Sequence, residues 1–319
     1  MTPRSSMPPE IKAGSSRPLS LLRSVERAAV RALVAATRIV PITAFYVSGW
    51  ILGNLFYAGS RGYRRLLFHN LDLAYGNELS RAQKRRIARG SVITFLQEAL
   101  IVLKLSQLRS WDVVKMVEIE HEERLKDAML QGRGVALVTG HLSNFSLAVA
   151  RLVRVGYRVG VLRRRAEAQA SEELFDYLMT SIGIRNFYHK EPLLPLARFL
   201  KDGGAVLFTI DQNARRGVQV PFFGIPAATF TAPVRFALGM NAVTLPIFMH
   251  RERWGRYVLS VEEPVELGRD KSDKAVYDNL LKLSLVLEKY VRKYPDQWLW
   301  LHRRWRHVSK RGEAAHSAA

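Results

Sequence analysis

The chain has 319 residues, of which 48% are hydrophobic, so the composition excludes a disordered protein and allows one large α/β domain or two smaller ones. Its 49 Lys and Arg against 28 Asp and Glu give a formal net charge of +21 at pH 7. We therefore expect an anionic partner: nucleic acid, an anionic membrane surface or an acidic protein. The absence of cysteine excludes a disulfide scaffold, a cysteine-ligated zinc site and a cysteine nucleophile.

The N-terminal part combines a polar tail with an uncharged stretch. Residues 1–22 are rich in Pro and Ser, which predicts a disordered tail. The 22 residues from Ile39 to Ser60 carry no charge and, as a helix, would span about 33 Å, close to a bilayer core. We predict a basic-flanked membrane anchor over residues 23–60, spanning the bilayer or embedded in one leaflet. A buried core helix is the alternative, because Pro41 and several glycines dilute its hydrophobicity.

Residues 61–306 show the pattern of a single α/β domain, followed by a predicted flexible tail over residues 307–319. The stretch Leu79 to Leu103 has helical spacing of apolar residues after the N-cap residue Ser80. Beyond it, short apolar runs alternate with helical stretches, which predicts a largely parallel mixed sheet flanked by helices. The predicted strands are Gly134–Val138, Val159–Leu162, Ala205–Ile210 and Val243–Phe248, and the predicted helices between them are 143–153, 171–182 and 194–201.

Polar residues directly after the predicted strands are the candidates for chemistry, because ligands of such sheets bind beyond the carboxyl ends of the strands. His141 follows the first strand, close to a predicted helix N-terminus. Its imidazole could act as a general base, with nearby N–H groups holding an oxyanion. A histidine with backbone partners only is the alternative.

Charged side chains follow the next two strands. Arg163, Arg164 and Arg165 suit phosphate recognition, although a solvated basic loop would look the same. Asp211, followed by Gln212, ends a buried strand and needs a basic or histidine partner.

The end of the domain interleaves aromatic and basic residues over 295–306. Such a segment could stack nucleic-acid bases, or form an interfacial rim at lipid headgroups. The uncharged N-terminal stretch favours the lipid reading.

These pieces, in this order, resemble the late acyltransferases of lipid A biosynthesis, which belong to the lysophospholipid acyltransferase group. The resemblance extends over about residues 20–306. The matching stretches are Arg64-Arg65 with Asn70-Leu71, GHLSNFS at 140–146, Arg163 after VGVL, Asp211-Gln212, PFFGIPAAT at 221–229 and QWLWLHRRWR at 297–306.

The resemblance implies a glycerolipid acyltransferase-like fold, anchored to the bacterial inner membrane with its catalytic domain on the cytoplasmic face. Family members move a fatty acyl chain from acyl carrier protein, or from acyl-CoA, onto a hydroxyl of a glycolipid. Anionic inner-membrane lipids and an acidic carrier protein would then account for the positive charge, and nucleic acid is not required. No cofactor is implied, and the sequence has no nucleotide-binding fingerprint and no cluster that suggests a metal.

The family signature is a histidine, four residues, then Asp or Glu. His141 takes the histidine position, with the implied role of general base for the acceptor hydroxyl. The acid position is Ser146, which carries no charge. Either another carboxylate orients the imidazole, with Asp211 favoured over Glu167 and Glu172, or the chain is a catalytically impaired paralogue that binds lipid or assists assembly.

We favour an active enzyme, because the other matched positions of the family are retained. The resemblance implies that Asn144 holds the histidine loop and that Arg163 contacts the acceptor phosphate or the donor carbonyl. The substrate-binding residues that we predict are Asn144, Arg163, Arg164, Thr229, Arg303 and Arg304, with the last two as contacts to headgroup phosphates.

Overall fold

The computed structural model describes residues 28, 31, 32, 34–215 and 217–306. The tails predicted over residues 1–22 and 307–319 lie outside the described residues. From Ile42 onward the chain forms ten helices and nine strands in the described part, with two short 3₁₀ turns. The first three helices are α1 (Ile42–Gly59), α2 (Arg61–Tyr75) and α3 (Arg81–Lys104).

Helix α1 packs closely against α3 through two glycines. A Cβ atom on Gly49 would lie 2.6 Å from the Cα of Gln97, and one on Gly53 would lie 2.7 Å from the Cα of Ile93. Only glycine allows the two backbones to approach this far. Helix α3 begins at the predicted cap, because the hydroxyl of Ser80 accepts the backbone N–H of Gln83. One side of the uncharged helix α1 is therefore packed into the folded domain.

The opposite side of α1 is exposed and apolar. Among the described residues, no helix has both the length and the apolar character needed to cross a membrane. The membrane anchor therefore stays a prediction. The exposed side chains of this face are Val47, Trp50, Ile51, Leu52 and Leu55.

The remaining elements are α4 (Ser110–Met116), β1 (Val117–Glu120), α5 (Glu122–Leu130), β2 (Val135–Thr139), α6 (Phe145–Arg154), β3 (Val159–Arg163), α7 (Gln169–Ser181), β4 (Arg185–Tyr188), α8 (Leu194–Lys201), β5 (Ala205–Thr209), β6 (Val218–Phe222), β7 (Ile225–Thr229), α9 (Ala232–Met240), β8 (Val243–Arg253), β9 (Arg256–Val261) and α10 (Asp273–Lys293). They include the four predicted strands, as β2, β3, β5 and β8, and the predicted helices between them, as α6, α7 and α8.

Seven strands form one sheet in the order β1-β9-β8-β2-β5-β3-β4. All neighbouring pairs are parallel except β8 and β9, which are antiparallel. This confirms the predicted mostly parallel mixed sheet with flanking helices. Strands β6 and β7 form a separate antiparallel hairpin.

The central strands β2 and β5 determine where the polar residues lie. Both consist mainly of buried apolar residues, as expected for strands covered on both faces. In their parallel register Thr139 is paired with Thr209. The residues that follow these two strands therefore emerge side by side at one edge of the sheet.

Candidate active site

His141 and Asp211 meet at the carboxyl ends of β2 and β5. Oδ1 of Asp211 lies 2.7 Å from Nδ1 of His141, and Oδ2 lies 2.5 Å from the backbone nitrogen of the same residue. The indole N–H of Trp298 also donates to Oδ2, at 2.8 Å. Asp211 is buried, and these three donors satisfy its carboxylate.

This geometry assigns the proton on the imidazole. An ionised carboxylate only accepts hydrogen bonds, so Nδ1 of His141 carries the proton and Nε2 presents its lone pair. Burial lowers the pKa of His141, but the charge and hydrogen bond of Asp211 outweigh burial and leave this pKa raised. Burial likewise opposes ionisation of Asp211, yet His141 and the other donors hold its pKa well below the usual range. An imidazole in this state can accept a proton from a hydroxyl.

The loop that carries His141 is held on both sides by the segment that follows α10. The carbonyl of His141 accepts the backbone N–H of Leu299 at 3.1 Å, and the carbonyl of Gln297 accepts that of Ser143 at 2.8 Å. Ser143 has a φ of 49°, in the left-handed region, which turns the chain sharply into α6. The two contacts fix the backbone where that turn occurs.

Asn144 anchors the same loop to helix α3. Its Oδ1 caps α6 by accepting the backbone N–H of Leu147, and its Nδ2 donates to Oε2 of Glu98 at 3.0 Å. The buried Glu98 also accepts from Arg251 and from the hydroxyl of Tyr257, each at 2.8 Å. Burial raises the pKa of Glu98, and these donors oppose the shift. Asn144 therefore lies behind His141 as a structural support.

Two cavities open on His141, and Phe145 of α6 and Phe175 of α7 line both of them. The first, of about 330 Å³, is almost entirely apolar, and the second, of about 450 Å³, is more polar. Residues of the apolar cavity include Phe95, Ala99, Val102, Leu103, Leu174 and Leu178. Residues of the polar cavity include Arg163, Arg164, His189, Thr209, Gln212 and Asn213.

A third, basic cavity of about 560 Å³ adjoins the polar one, since Arg164 and Asn213 line both. Arg303 and Arg306 supply further guanidinium groups from the C-terminal segment. Two of the predicted substrate contacts, Arg164 and Arg303, are thus exposed in this connected space. In the described part of the chain, no three His, Asp or Glu side chains converge as a metal site would require.

Ser146 lies in the first turn of α6 and is buried on the wall of the apolar cavity. The hydrogen bond to Nδ1 of His141, which the family acid would be expected to make from this position, comes from Asp211. Asp211, which follows a neighbouring strand, therefore makes the carboxylate contact that Ser146 cannot make.

Arg163 is held by protein groups. Its guanidinium makes a bidentate ion pair with Glu172, at 2.7 Å for both contacts, and lies between the rings of Phe175 and Tyr188. The side chain lines the polar cavity, but its donors are turned to Glu172. This differs from the predicted direct contact with phosphate or the donor carbonyl.

Thr229 and Arg304 are buried together beneath the site. Arg304 donates to Oγ1 of Thr229 at 2.7 Å, to the carbonyl of Ala228 at 2.8 Å and to that of Gln212 at 3.2 Å. Burial lowers the pKa of Arg304 to about 10. Both side chains connect the β6–β7 hairpin to the loop after β5. They are therefore not available to a substrate, which differs from the substrate contacts predicted for them.

Two residues of this arrangement were not assigned to the site from the sequence. Trp298 lies in the aromatic and basic segment, where spacing alone does not distinguish a buried indole from an interfacial one. Glu98 lies within a largely apolar stretch of α3, next to Gln97, and an acid on a buried helix face is a signal that would have identified it.

Comparison with known proteins shows the family to which the chain belongs. The model of the bacterial lipid A biosynthesis acyltransferase family matches residues 14–307. The lipid A biosynthesis lauroyltransferase of Escherichia coli (strain K12) is 24% identical over 276 residues, which cover 84% of this chain and 87% of that protein. The phosphatidylinositol mannoside acyltransferase of Mycolicibacterium smegmatis (strain ATCC 700084 / mc(2)155) is 23% identical over 227 residues, covering 69% and 71%.

Among solved structures, the 1-acyl-sn-glycerophosphate acyltransferase PlsC from Thermotoga maritima aligns with 79% of this chain and 96% of its own, at a TM-score of 0.38 and 14% identity. The family match and the named relatives define the class: the chain is an acyltransferase, with an acyl donor and a lipid acceptor. It belongs to the bacterial lipid A biosynthesis acyltransferase family.

Proposed function

We propose that the protein transfers a fatty acyl chain from acyl carrier protein, or from acyl-CoA, to a hydroxyl of a lipid A-type or related glycolipid, with His141 as the general base. The observation that carries this proposal is the contact between Nδ1 of His141 and the buried Asp211, which leaves Nε2 as the proton-accepting atom of a residue that lines both cavities. The names of the relatives support the lipid acceptor.

In the proposed reaction the acceptor hydroxyl gives its proton to Nε2 of His141 while its oxygen attacks the thioester carbonyl. Asp211 keeps the imidazole in the required tautomer and stabilises the imidazolium that forms. The tetrahedral intermediate then expels the thiolate, which takes the proton back from His141. Asp211 thus replaces the motif acid that is missing at Ser146. A base of this kind contributes about 10²–10⁴ to the rate.

We assign the acyl chain to the apolar cavity, because the surface that it exposes is mostly apolar and it reaches His141. The glycolipid headgroup then occupies the polar and basic cavities, which adjoin each other at Arg164 and Asn213. There Arg164, Arg303 and Arg306 offer guanidinium donors that match phosphate oxygens.

We place the protein at the cytoplasmic face of the bacterial inner membrane, attached through the exposed apolar face of α1. Trp50 on this face suits the headgroup level. At the end of α1 the next helix supplies Arg61, Arg64 and Arg65, which suit anionic lipids. Arg64 also donates to the carbonyls of Tyr57 and Ala58 and so fixes the joint between the two helices.

The test is an assay of the purified full-length protein with acyl carrier protein thioesters and a glycolipid acceptor in mixed micelles, with products weighed by mass spectrometry. We expect transfer by the wild type, and loss of transfer in His141→Ala but not in the control His69→Ala, which changes an exposed histidine of α2.

Ser146 favours one alternative, a catalytically impaired paralogue that binds lipid or assists assembly. A wild-type protein that binds glycolipid but transfers nothing with either donor would establish this alternative. Transfer that survives in His141→Ala would instead show that another group is the base.

A further inference from the structure

The side chain of Gln212 covers the lone pair of the proposed base. Its Nε2 lies 3.1 Å from Nε2 of His141, and the side chain is exposed on the wall of the polar cavity. Since Nδ1 of His141 donates to Asp211, its Nε2 is the acceptor, and the amide of Gln212 is the donor. A substrate hydroxyl needs the same lone pair, so it must displace this amide.

Hydrogen bonds hold the main chain of Gln212 in place, so it stays fixed when the side chain rotates. The carbonyl of Gln212 accepts from the buried Arg304, and the preceding Asp211 is held by three donors. The next residue, Asn213, donates its backbone N–H to Nε2 of His302 at 2.8 Å. The displaced amide is therefore free to rotate only about its own side-chain bonds, and it stays beside the reacting atoms.

We propose that Gln212 is a catalytic residue of the acyl transfer, and that its amide moves from His141 to the carbonyl oxygen of the donor thioester. This inference rests on the proposed function. As the acceptor oxygen forms its bond to the carbonyl carbon, the π electron pair moves onto the carbonyl oxygen, and the proton of the hydroxyl moves to Nε2. The amide of Gln212 donates to the oxyanion so formed, which returns its electron pair to carbon when the thiolate leaves.

The distances support this assignment. In the free protein the amide of Gln212 lies within hydrogen-bond distance of Nε2 of His141. The attacking hydroxyl must contact the same nitrogen atom. Before reaction the thioester carbonyl carbon comes within about 3–3.5 Å of the hydroxyl oxygen. The carbonyl oxygen then lies within reach of the amide of Gln212 once that amide has left Nε2.

Two other donors of the polar cavity already have protein partners. The guanidinium of Arg163 is paired with Glu172, and Nδ2 of Asn213 donates to the carbonyl of Arg304 at 3.1 Å. Arg164 is the main competitor, because it is exposed at the junction with the basic cavity.

The test compares Gln212→Ala and Gln212→Glu with the control Gln219→Glu, which changes an exposed glutamine of β6. We expect kcat to fall about 10²-fold in Gln212→Ala with KM nearly unchanged, as for other single oxyanion donors. The loss should be larger in Gln212→Glu, since its carboxylate repels the oxyanion. If Gln212 only supported the fold, kcat would not differ between these two variants.

The pH profile gives a second, independent measurement. A donor on the lone pair stabilises the neutral imidazole, so its removal in Gln212→Ala should raise the pH at which kcat/KM reaches half its maximum. In Gln212→Glu the carboxylate favours the imidazolium, and this midpoint should rise further.

Full kcat in Gln212→Ala would overturn the inference, and so would a loss of kcat confined to Arg164→Ala. In either case the proposed function stands if His141→Ala is inactive. A wild-type protein that transfers no acyl chain would overturn both.

Discussion

Asp211 binds His141 twice, with one carboxylate oxygen on the imidazole Nδ1 and the other on the backbone nitrogen of the same residue. One side chain thereby fixes both the orientation of the ring and the loop from which it projects. The tautomer, the position and the proton affinity of His141 all depend on this carboxylate.

Asp211→Asn should abolish most of the activity without unfolding the protein. Oδ2 of Asp211 accepts from two donors, the backbone of His141 and the indole of Trp298. The single carbonyl oxygen of asparagine must take that place, so its NH₂ group faces Nδ1 and selects the tautomer with the proton on Nε2. We expect a loss of about 10³–10⁴ in kcat, as for other acids in this role.

The control for this variant is Asp202→Asn, which changes an exposed carboxylate after α8 and should leave kcat unchanged. Circular dichroism of both variants checks the fold. A value of kcat within tenfold of the wild type in Asp211→Asn would show that Asp211 does not orient the base.

The rate of transfer should rise with pH. Only the neutral imidazole of His141 accepts a proton, and Asp211 raises the pKa of His141 despite its burial. The protonated, inactive form therefore persists to a higher pH than in an ordinary histidine, whose pKa is about 6.5. We expect kcat/KM to reach half its maximum above this pH, and to do so at lower pH in any residual activity of Asp211→Asn. A wild-type midpoint below about pH 6.5 would contradict this expectation.

Ser146→Glu should not raise the rate, although it restores the acid of the family signature. Nδ1 of His141 is already bonded to Asp211, and the new carboxylate would be buried in an apolar cavity that Glu98 also lines. We expect the free energy of unfolding to fall by about 3 kcal/mol. Ser146→Ala should keep kcat within about twofold, since it removes only a hydroxyl. Faster transfer by Ser146→Glu would show that the serine limits catalysis.

Ala99→Trp should shift the choice of acyl chain toward shorter donors. Ala99 lines the apolar cavity, where a larger side chain takes up space without disturbing the sheet. Each methylene excluded from an apolar site costs about 0.8 kcal/mol, or roughly fourfold in kcat/KM. Competition between donors of 12 and 16 carbons measures the shift, with Ala82→Trp on the exposed side of α3 as the control. An unchanged preference would place the acyl chain elsewhere.

Arg304→Met should lower the stability of the protein, whereas Arg303→Met should weaken binding of the acceptor. Arg304 donates to three acceptors in the interior, and leaving them unpaired should cost at least about 3 kcal/mol of unfolding free energy. Arg303 is exposed in the basic cavity, so its loss should raise KM for a phosphorylated acceptor and change stability by less than about 0.5 kcal/mol. Thermal unfolding and acceptor titration measure the two effects, and equal destabilisation by both variants would contradict this division.

Local pattern was enough to predict the central part of the fold. Helix α8 begins and ends at the predicted residues, Leu194 and Lys201, and α3 starts after the predicted cap Ser80. The strands that lead to His141 and Asp211 were predicted because both are short, continuous apolar runs bounded by polar residues. Their parallel orientation then follows from the alternation with helices.

The rest depends on contacts that no local pattern contains. The β6–β7 hairpin turns at Phe223 and Gly224, both with positive φ, whereas Asn or Asp is the usual signal at the first position. Phe223 takes this conformation because its N–H donates to Glu288 and its ring packs on Trp300. Nothing near Asp211 in the sequence indicates its contact with Trp298.

The close contact of Gly49 and Gly53 with α3 has a practical consequence for anyone who wishes to produce this protein. Removing residues before Arg61 in order to improve yield in water would uncover the backbone of Gln97 and Ile93 along a groove shaped for a glycine face. It would also remove Tyr46, whose hydroxyl bonds to that of Tyr257, a partner of Glu98. Expression trials should therefore keep α1.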